Sequence, residues 1–269
     1  MTVFNNALAG AAGSGGGDDG YKIQKSLRFN EEDSAYLYRT FSGSDRKTFS
    51  LSFWYKPAVQ GSANRRHIFS ARSTGGHASI INFRDSDDAL EIYHYNGSSL
   101  AFQVTTKHSF RDSSAWYGFL VVYDSTAAVA SERIKLFCNG SRITEFQIAN
   151  YPSQNYGNVM WNDNGQTHAI GHDNNQYLSG YLAEIRFLDS IVADPSWFGK
   201  YDADGVWVPI EFVARDQTVT SSTITNVSGN TLTLTDDTNL DKIRDGGKRL
   251  IILTTFLAHK LAQQLQLII

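Results

Sequence analysis

Hydrolysis of a glycosidic bond needs two carboxylates about 5–5.5 Å apart, one to attack and one to protonate the leaving oxygen. The nearest such pair in this chain is in the run Glu184-Ile185-Arg186-Phe187-Leu188-Asp189. Side chains alternate faces along a strand, so this odd spacing points Glu184 and Asp189 to opposite sides. Glu91 has Tyr93 and Tyr95 where a partner carboxylate would have to stand. Nucleophilic catalysis has no better foundation. There is no Gly-x-Ser-x-Gly turn, and the one cysteine, Cys138, lies just before an Asn-Gly pair with no histidine close in sequence. Residues 13–20 are glycine-rich but lack the Lys-Ser/Thr pair and the preceding strand of a phosphate loop. His67, His77, His94, His108, His168, His172 and His259 are scattered at no metal-binding spacing, and one cysteine excludes a Cys-based zinc site and a disulfide framework. The residues read as those of a protein that is not an enzyme.

Binding has more support. Sugars are held by aromatic faces beside a few polar groups. Two loops offer both: Trp161-Asn162-Asp163-Asn164-Gly165, and Gly171-His172-Asp173-Asn174-Asn175-Gln176-Tyr177. The candidate ligand-binding residues are therefore Trp161, Asn162, Asp163, His172, Asp173 and Tyr177. The loops flank a short strand-like run at 167–170, which sets them at its opposite ends and against a shared pocket. Asn, Asp and Gly also dominate ordinary turns, which is the plainer reading of both loops. A net charge of −3, from 24 Lys+Arg against 27 Asp+Glu, argues against nucleic acid, whose phosphates need a basic field.

The elements that must position these loops are strands. Residues 48–55 (TFSLSFWY) alternate, with Phe49, Leu51 and Phe53 on one face; residues 89–95 (ALEIYHY) put Leu90, Ile92 and His94 opposite Glu91, Tyr93 and Tyr95. Residues 116–123 (WYGFLVVY) are apolar almost throughout, as in a central strand buried on both faces. Ile134–Cys138, then Asn139-Gly140, then residues 142–146 (RITEF) read as a hairpin, because Asn-Gly tolerates the two positive φ angles of a type I′ turn. Residues 181–188 alternate again, and Asp194-Pro195 can open a short helical turn. Many short strands without intervening helices predict an all-β fold. Ahead of them, residues 1–20 read as a flexible Gly-rich tether, without the basic region and apolar run of a secretory signal. Residues 213–248 read as a Thr/Ser-rich β hairpin appendage. Residues 249–269 are apolar but too broken by Lys260 and glutamines for a membrane span, and read as an amphipathic or oligomerisation segment, or as the product of a shifted reading frame.

Three strings carry a family resemblance. Phe49-Ser50-Leu51-Ser52-Phe53-Trp54-Tyr55, Ile134-Lys135-Leu136-Phe137-Cys138-Asn139-Gly140 and Gly180-Tyr181-Leu182-Ala183-Glu184-Ile185-Arg186-Phe187 resemble, in order and spacing, laminin-G-like or concanavalin A-like lectin domains. More narrowly, Ser34-Ala35-Tyr36-Leu37, Tyr151-Pro152-Ser153-Gln154-Asn155-Tyr156, Asp194-Pro195-Ser196-Trp197-Phe198-Gly199 and Gly205-Val206-Trp207-Val208-Pro209 are similar to laminin-G-like proteins of phage virions. The resemblance covers about residues 21–212. It implies a two-sheet antiparallel jelly-roll sandwich in a tail fibre, spike or capsid-decorating protein at the particle surface. It also implies attachment to other virion proteins through the tether, host-surface glycan as ligand, and a homo-oligomer, fibres commonly being trimers. A rim calcium ion is a further implication, with Asp85, Asp87, Asp163 and Asp173 as candidate oxygen donors. Glucanases of this fold carry a Glu-x-Asp-x-x-Glu pattern, which the chain lacks. A purely structural virion protein is the rival reading, and a glycoside hydrolase the third.

Overall fold

The alternating segments pair into two antiparallel sheets in a computed structural model of the chain. It describes residues 20–43, 45–58 and 64–213, and the backbone of 224–228, 231–234, 244–245 and 248–249. One sheet has six strands in the spatial order β1 (Leu27–Phe29), β15 (Gly180–Asp189), β3 (Thr48–Pro57), β8 (Tyr117–Asp124), β9 (Ile134–Cys138) and β10 (Ser141–Ile143). The other has seven, in the order β11 (Phe146–Asn150), β7 (Leu100–Ser109), β6 (Ala89–Asn96), β5 (His77–Phe83), β4 (Arg66–Arg72), β12 (Thr167–Ile170) and β2 (Leu37–Thr40). Two short hairpins add β13 (His172–Asp173) to β14 (Gln176–Tyr177), and β16 (Gly199–Tyr201) to β17 (Trp207–Pro209). This is the all-β jelly-roll sandwich that the strand pattern and the resemblance predict.

The core lies between the sheets and is mostly aromatic. Phe49, Leu51 and Phe53 of β3 point inward together, as their spacing dictates. Phe49 stacks on Phe187 at 5.1 Å, Phe53 on Phe119 at 5.3 Å, and Tyr55 reaches across to Phe83 at 4.5 Å. Such ring pairs contribute roughly 0.5–1.5 kcal/mol each beyond the area they bury.

The outer face of the six-stranded sheet is covered by the chain itself. Leu120, Val122 and Leu188 point outward and pack under Ile191, Ala193, Trp197 and Phe198. Ser50 fastens this strap: its hydroxyl donates to the Ile191 carbonyl (2.6 Å) and accepts from the Ala193 N–H (2.9 Å). The predicted helical turn is a 3-10 turn, Pro195–Trp197, capped by the Asp194 carboxylate, which accepts the Ser196 N–H. Further on, Trp207 lies over Gly118, Gly140 and Gly199, and at the last two a side chain would collide with its ring.

Two local features depart from simple alternation. The segment 142–146 is not one strand: β10 ends at Ile143 on the six-stranded sheet, and β11 starts at Phe146 on the seven-stranded one, so the chain crosses the sandwich. In β15 a bulge between Ala183 and Arg186 puts Glu184 at φ +49°.

The chain divides into two compact units, the first holding the described residues up to Phe212 and the second spanning Val213–Gln263. The second carries the antiparallel hairpins β18 (Ile224–Ser228) with β19 (Thr231–Leu234), and β20 (Arg244–Asp245) with β21 (Lys248–Arg249). The Gly-rich stretch 1–19 and the tail beyond Arg249 lie outside the described residues. Among the described residues no helix is long and apolar enough to cross a membrane.

Candidate functional site

The seven-stranded sheet turns polar and aromatic side chains outward. On β4 these are His67, Ser70 and Arg72, and together they hold down the β13–β14 hairpin. The Ser70 hydroxyl donates to the His172 carbonyl (2.7 Å). Arg72 grips Asp173 with two bonds, Nε to Oδ1 at 3.0 Å and Nη2 to Oδ2 at 2.6 Å. His67 Nε2 donates to Gln176 Oε1 at 3.1 Å. The hairpin closes through Asn174 and Asn175, both at positive φ (48° and 61°), as a two-residue type I′ turn requires. At its base Gly171 sits at φ +83°, where a Cβ would stand 2.6 Å from the Phe29 ring, so only glycine can start the hairpin here.

This hairpin completes a surface cluster of four rings. His172 lies 4.7 Å, centroid to centroid, from both Tyr36 and Tyr177, and Tyr36 lies 6.0 Å from Tyr38. Tyr38 stands on β2 opposite Ala169, at the edge of the sheet. Tyr36 is 44% exposed and Tyr38 70%. Burial holds the His172 imidazole below its ordinary pKa, so it packs between the tyrosines as a neutral ring at neutral pH. Its Nε2 accepts the Asn175 N–H at 3.3 Å. Exposed rings ringed by Asn174, Asn175, Gln176 and the Asp173–Arg72 pair offer apolar faces beside hydrogen-bonding groups, the combination that recognises a sugar.

Next to the hairpin, a row of outward side chains crosses β4 to β7: His67, Asn82, Glu91 and Thr105, each opposite the next. Glu91 is fully committed. It pairs with Arg65, and its Oε1 accepts from Gln103 Nε2 (2.6 Å) and Thr105 Oγ1 (3.4 Å). The Arg65 guanidinium also lies 5.8 Å from the centroid of the Tyr93 ring, whose hydroxyl burial pushes up to about 12.

The six sequence candidates separate. His172, Asp173 and Tyr177 belong to the hairpin: the two rings join the surface cluster, while Asp173, 5% exposed, supports it through Arg72. Trp161 is not an exposed loop aromatic. It is wholly buried, edge-on to Phe49 (5.5 Å) and Tyr123 (6.2 Å), because the cavity between the sheets outbids the loop for so large an apolar ring. Asn162 is buried as well, its Nδ2 donating to the Asp45 carbonyl (2.6 Å) and Asp189 Oδ1 (2.5 Å). Asp163 faces Arg46 at 3.2 Å. The two loops flank β12 in sequence, the first entering it and the hairpin following it. Tyr36 and Tyr38 were not among the candidates; the alternation Tyr36-Leu37-Tyr38, with Leu37 packed on the core, is the signal that identifies them.

The carboxylates do not suit a calcium ion. Asp87 is held by Arg84 (3.5 Å) and Gln147 Nε2 (2.9 Å), Asp163 by Arg46 and Asp173 by Arg72, and Asp85 shares the turn with Asp87. Among the described residues no three His, Cys, Asp or Glu side chains converge as a metal site. Glu184 and Asp189 are likewise engaged separately. Glu184 accepts from Tyr21 and Arg186, whereas Asp189 accepts from Asn162 and Ser190.

No curated protein sequence gives a significant match. Solved structures with similar folds include a heptameric pentraxin from Limulus polyphemus (17% identity, 59% of this chain and 71% of that one, TM-score 0.40). Others are the LG4-5 domains of the mouse laminin alpha1 chain (10%, 64% and 44%, 0.44) and tailspike protein 2 of bacteriophage CBA120 (10%, 62% and 25%, 0.44). The chain thus spans under half of the laminin fragment and a quarter of the tailspike fragment. A model of the concanavalin A-like lectin/glucanases superfamily matches residues 30–194. That stretch is well over half of the 269 residues and contains β2 to β15 with the ring cluster, and the chain belongs to the concanavalin A-like lectin/glucanases superfamily.

Proposed function

We propose that this sandwich is the glycan-binding, non-hydrolytic module of a phage virion surface protein, and that it meets host-surface glycan with the ring cluster of Tyr36, Tyr38, His172 and Tyr177. The observation that carries the reading is that Tyr36 and Tyr38 are left exposed and are drawn into one ring cluster with His172 and Tyr177. The sequence supplies a strap for the outer face of one sheet and rings for that of the other, which is the division expected of a module that binds with one side. Glu91 and Asp173 are engaged by arginines, which favours holding a sugar over cleaving one. The virion setting rests on the resemblance of the quoted strings to phage laminin-G-like proteins.

The test is a glycan array probed with the full chain, alongside a variant carrying Tyr36→Ala and Tyr38→Ala. Binding by the parent and loss in the variant supports the reading. Absence of binding by the parent points instead to a purely structural virion component, and shortened polysaccharide after incubation would make it a hydrolase. Calcium added or chelated leaves binding unchanged if the aspartates keep their arginines.

A further inference from the structure

Trp161 is wholly buried between the sheets, and the backbone N–H groups of its two neighbours are tied to buried histidines, one directly and one through Ser79. The Asn162 N–H donates to His168 Nε2 at 2.9 Å, while His168 Nδ1 donates to the Gln166 carbonyl at 2.9 Å. The Met160 N–H donates to Ser79 Oγ at 2.7 Å, and that oxygen is hydrogen-bonded to His94 Nδ1 at 2.8 Å. His168 Nε2 therefore works as a hydrogen-bond acceptor, and only a neutral ring has that lone pair. Protonation sets N–H against N–H at His168, and at His94 it puts a charge on a desolvated ring that shares Ser79 Oγ with the Met160 N–H.

Backbone carbonyls favour the charged form, Gln166 at His168 and Ala78 at His94, and desolvation outweighs both. His168 lies on Phe41 at 3.9 Å and near Phe69 at 5.5 Å, with Arg39 as its cross-strand neighbour on β2. The carboxylate behind the latch, Asp189, is bound to Asn162 Nδ2, and burial raises its own pKa, so acid neutralises it. Asp45, next to it, offers Asn162 its carbonyl. His94 faces His77 at 6.2 Å, Phe102, Tyr156 and the positive field of Arg46, which is paired with Asp163.

We propose that His94 and His168 form an acid-opened latch on Trp161: protonating them frees residues 160–162, loosens the indole from the core and weakens ligand binding at the ring cluster. The route to the cluster is short. His168 lies on β12, whose next residue, Ala169, pairs with Tyr38, and β12 runs directly through Gly171 into the hairpin bearing His172 and Tyr177. The ligand half of this inference rests on the glycan-binding reading above; the latch itself does not.

Desolvation holds both imidazoles at about 4, below the ordinary 6.5. A group whose folded pKa is depressed lends stability above its unfolded pKa and loses it as pH falls toward the folded one. Opening should therefore set in below about pH 6.5 and be complete near pH 4.

The test follows intrinsic fluorescence of the full chain from about pH 7.5 to 4, with a Trp161→Phe variant subtracted to isolate that indole. It also follows hydrogen exchange of the Met160 and Asn162 amides, corrected for intrinsic rates. In the parent both signals should change in the same window. A variant with His94→Gln and His168→Gln keeps an acceptor but no titrating group, and its transition should move acidward by about one pH unit or more. An unmoved transition overturns the latch. Should that variant not fold, nitrogen-15 NMR of the parent histidines decides: neutral rings, with Nε2 of His168 as acceptor, persisting well below pH 6 support it, and titration at 6.5 or above overturns it. Affinity for an array-positive glycan should fall about tenfold from pH 7.5 to 4.5. Affinity unchanged while the latch opens overturns the coupling alone, whereas no glycan binding at any pH overturns the binding reading and leaves the latch to the fluorescence.

Discussion

What an aromatic or charged side chain does here is decided by its immediate neighbours more than by its type. Trp161 and Tyr38 are both large rings beside polar turn residues, yet one is sealed between sheets and the other is 70% exposed. Substitution should separate them cleanly. Trp161→Ala should cost about 3–5 kcal/mol of stability, the usual range for emptying a large core site. Tyr36→Ala or Tyr38→Ala should shift stability by only about 0.5 kcal/mol, while each weakens glycan affinity roughly tenfold. Urea denaturation and calorimetric titration read the two effects, and a Tyr38 variant that unfolds early would contradict its surface role. Charge follows the same logic at the other end of the sandwich. Arg66 is 1% exposed, pairs with Asp88 and donates from Nη2 to the Arg84 carbonyl at 2.9 Å. Asp88 sits at φ +58°, which asparagine also tolerates, so Asp88→Asn tests the charge without straining the backbone. That change should destabilise by about 3–5 kcal/mol, and adding Arg66→Met should recover much of it, because the uncompensated buried cation is then gone. A double-mutant cycle in urea measures the coupling.

Between residues and molecule stand the strands and their turns, and here the hairpin β9–β10 shows how much a short motif determines. Asn139 and Gly140 adopt φ +47° and +77°, the type I′ geometry expected of Asn-Gly. The same glycine leaves room for Trp207, whose ring atoms come within 2.4–2.8 Å of where a Cβ would stand. Gly140→Ala should therefore cost about 1–3 kcal/mol through both strain and overpacking. Combined with Trp207→Ala it should cost less than the two separate losses added together, and strict additivity in denaturation would show that the strap does not rest on this turn. The turn itself was legible because its signal is local, as were the alternation of β3 and β6, the doubly buried β8 and the Asp194 cap. Features set by distant partners were not. Nothing within residues 142–146 tells that the chain leaves one sheet at Ile143 and joins the other at Phe146. Nothing around Glu184 announces a bulge. The Trp161 loop has the composition of an exposed turn, and only the space left by Phe49, Phe102 and Tyr123 draws the indole inside. The ring cluster was half visible for the same reason: His172 and Tyr177 share one hairpin, but Tyr36 and Tyr38 reach them only because β2 pairs with β12.

Seen whole, the sandwich has one face that the chain covers and one that it displays, and both ends of the sandwich lie on the covered side. The Tyr21 hydroxyl donates to Glu184 on the outward side of β15, and Arg186, bonded to the same carboxylate, lies 5.2 Å from the Phe212 ring. Phe212 in turn stacks on Phe198 of the strap at 5.4 Å. Tyr21 and Phe212, near the two ends of the described sandwich, thus lie on the face opposite the ring cluster. Orientation on a surface should then decide activity. The single native thiol, Cys138, is buried and its pKa is pushed up by desolvation, so it does not compete with an introduced cysteine for a thiol-reactive support. Asp204, at the exposed turn between β16 and β17 on the strap side, and Thr167, on the Tyr38 side of β12, provide the two opposite handles. The Asp204→Cys protein, coupled through that thiol, should retain the glycan capacity of the free protein. Coupled through Thr167→Cys, it should lose most of that capacity, because the support then occludes the rings. Equal capacity from the two orientations would place the binding surface elsewhere on the sandwich, whereas loss through Asp204 alone would move it to the strap.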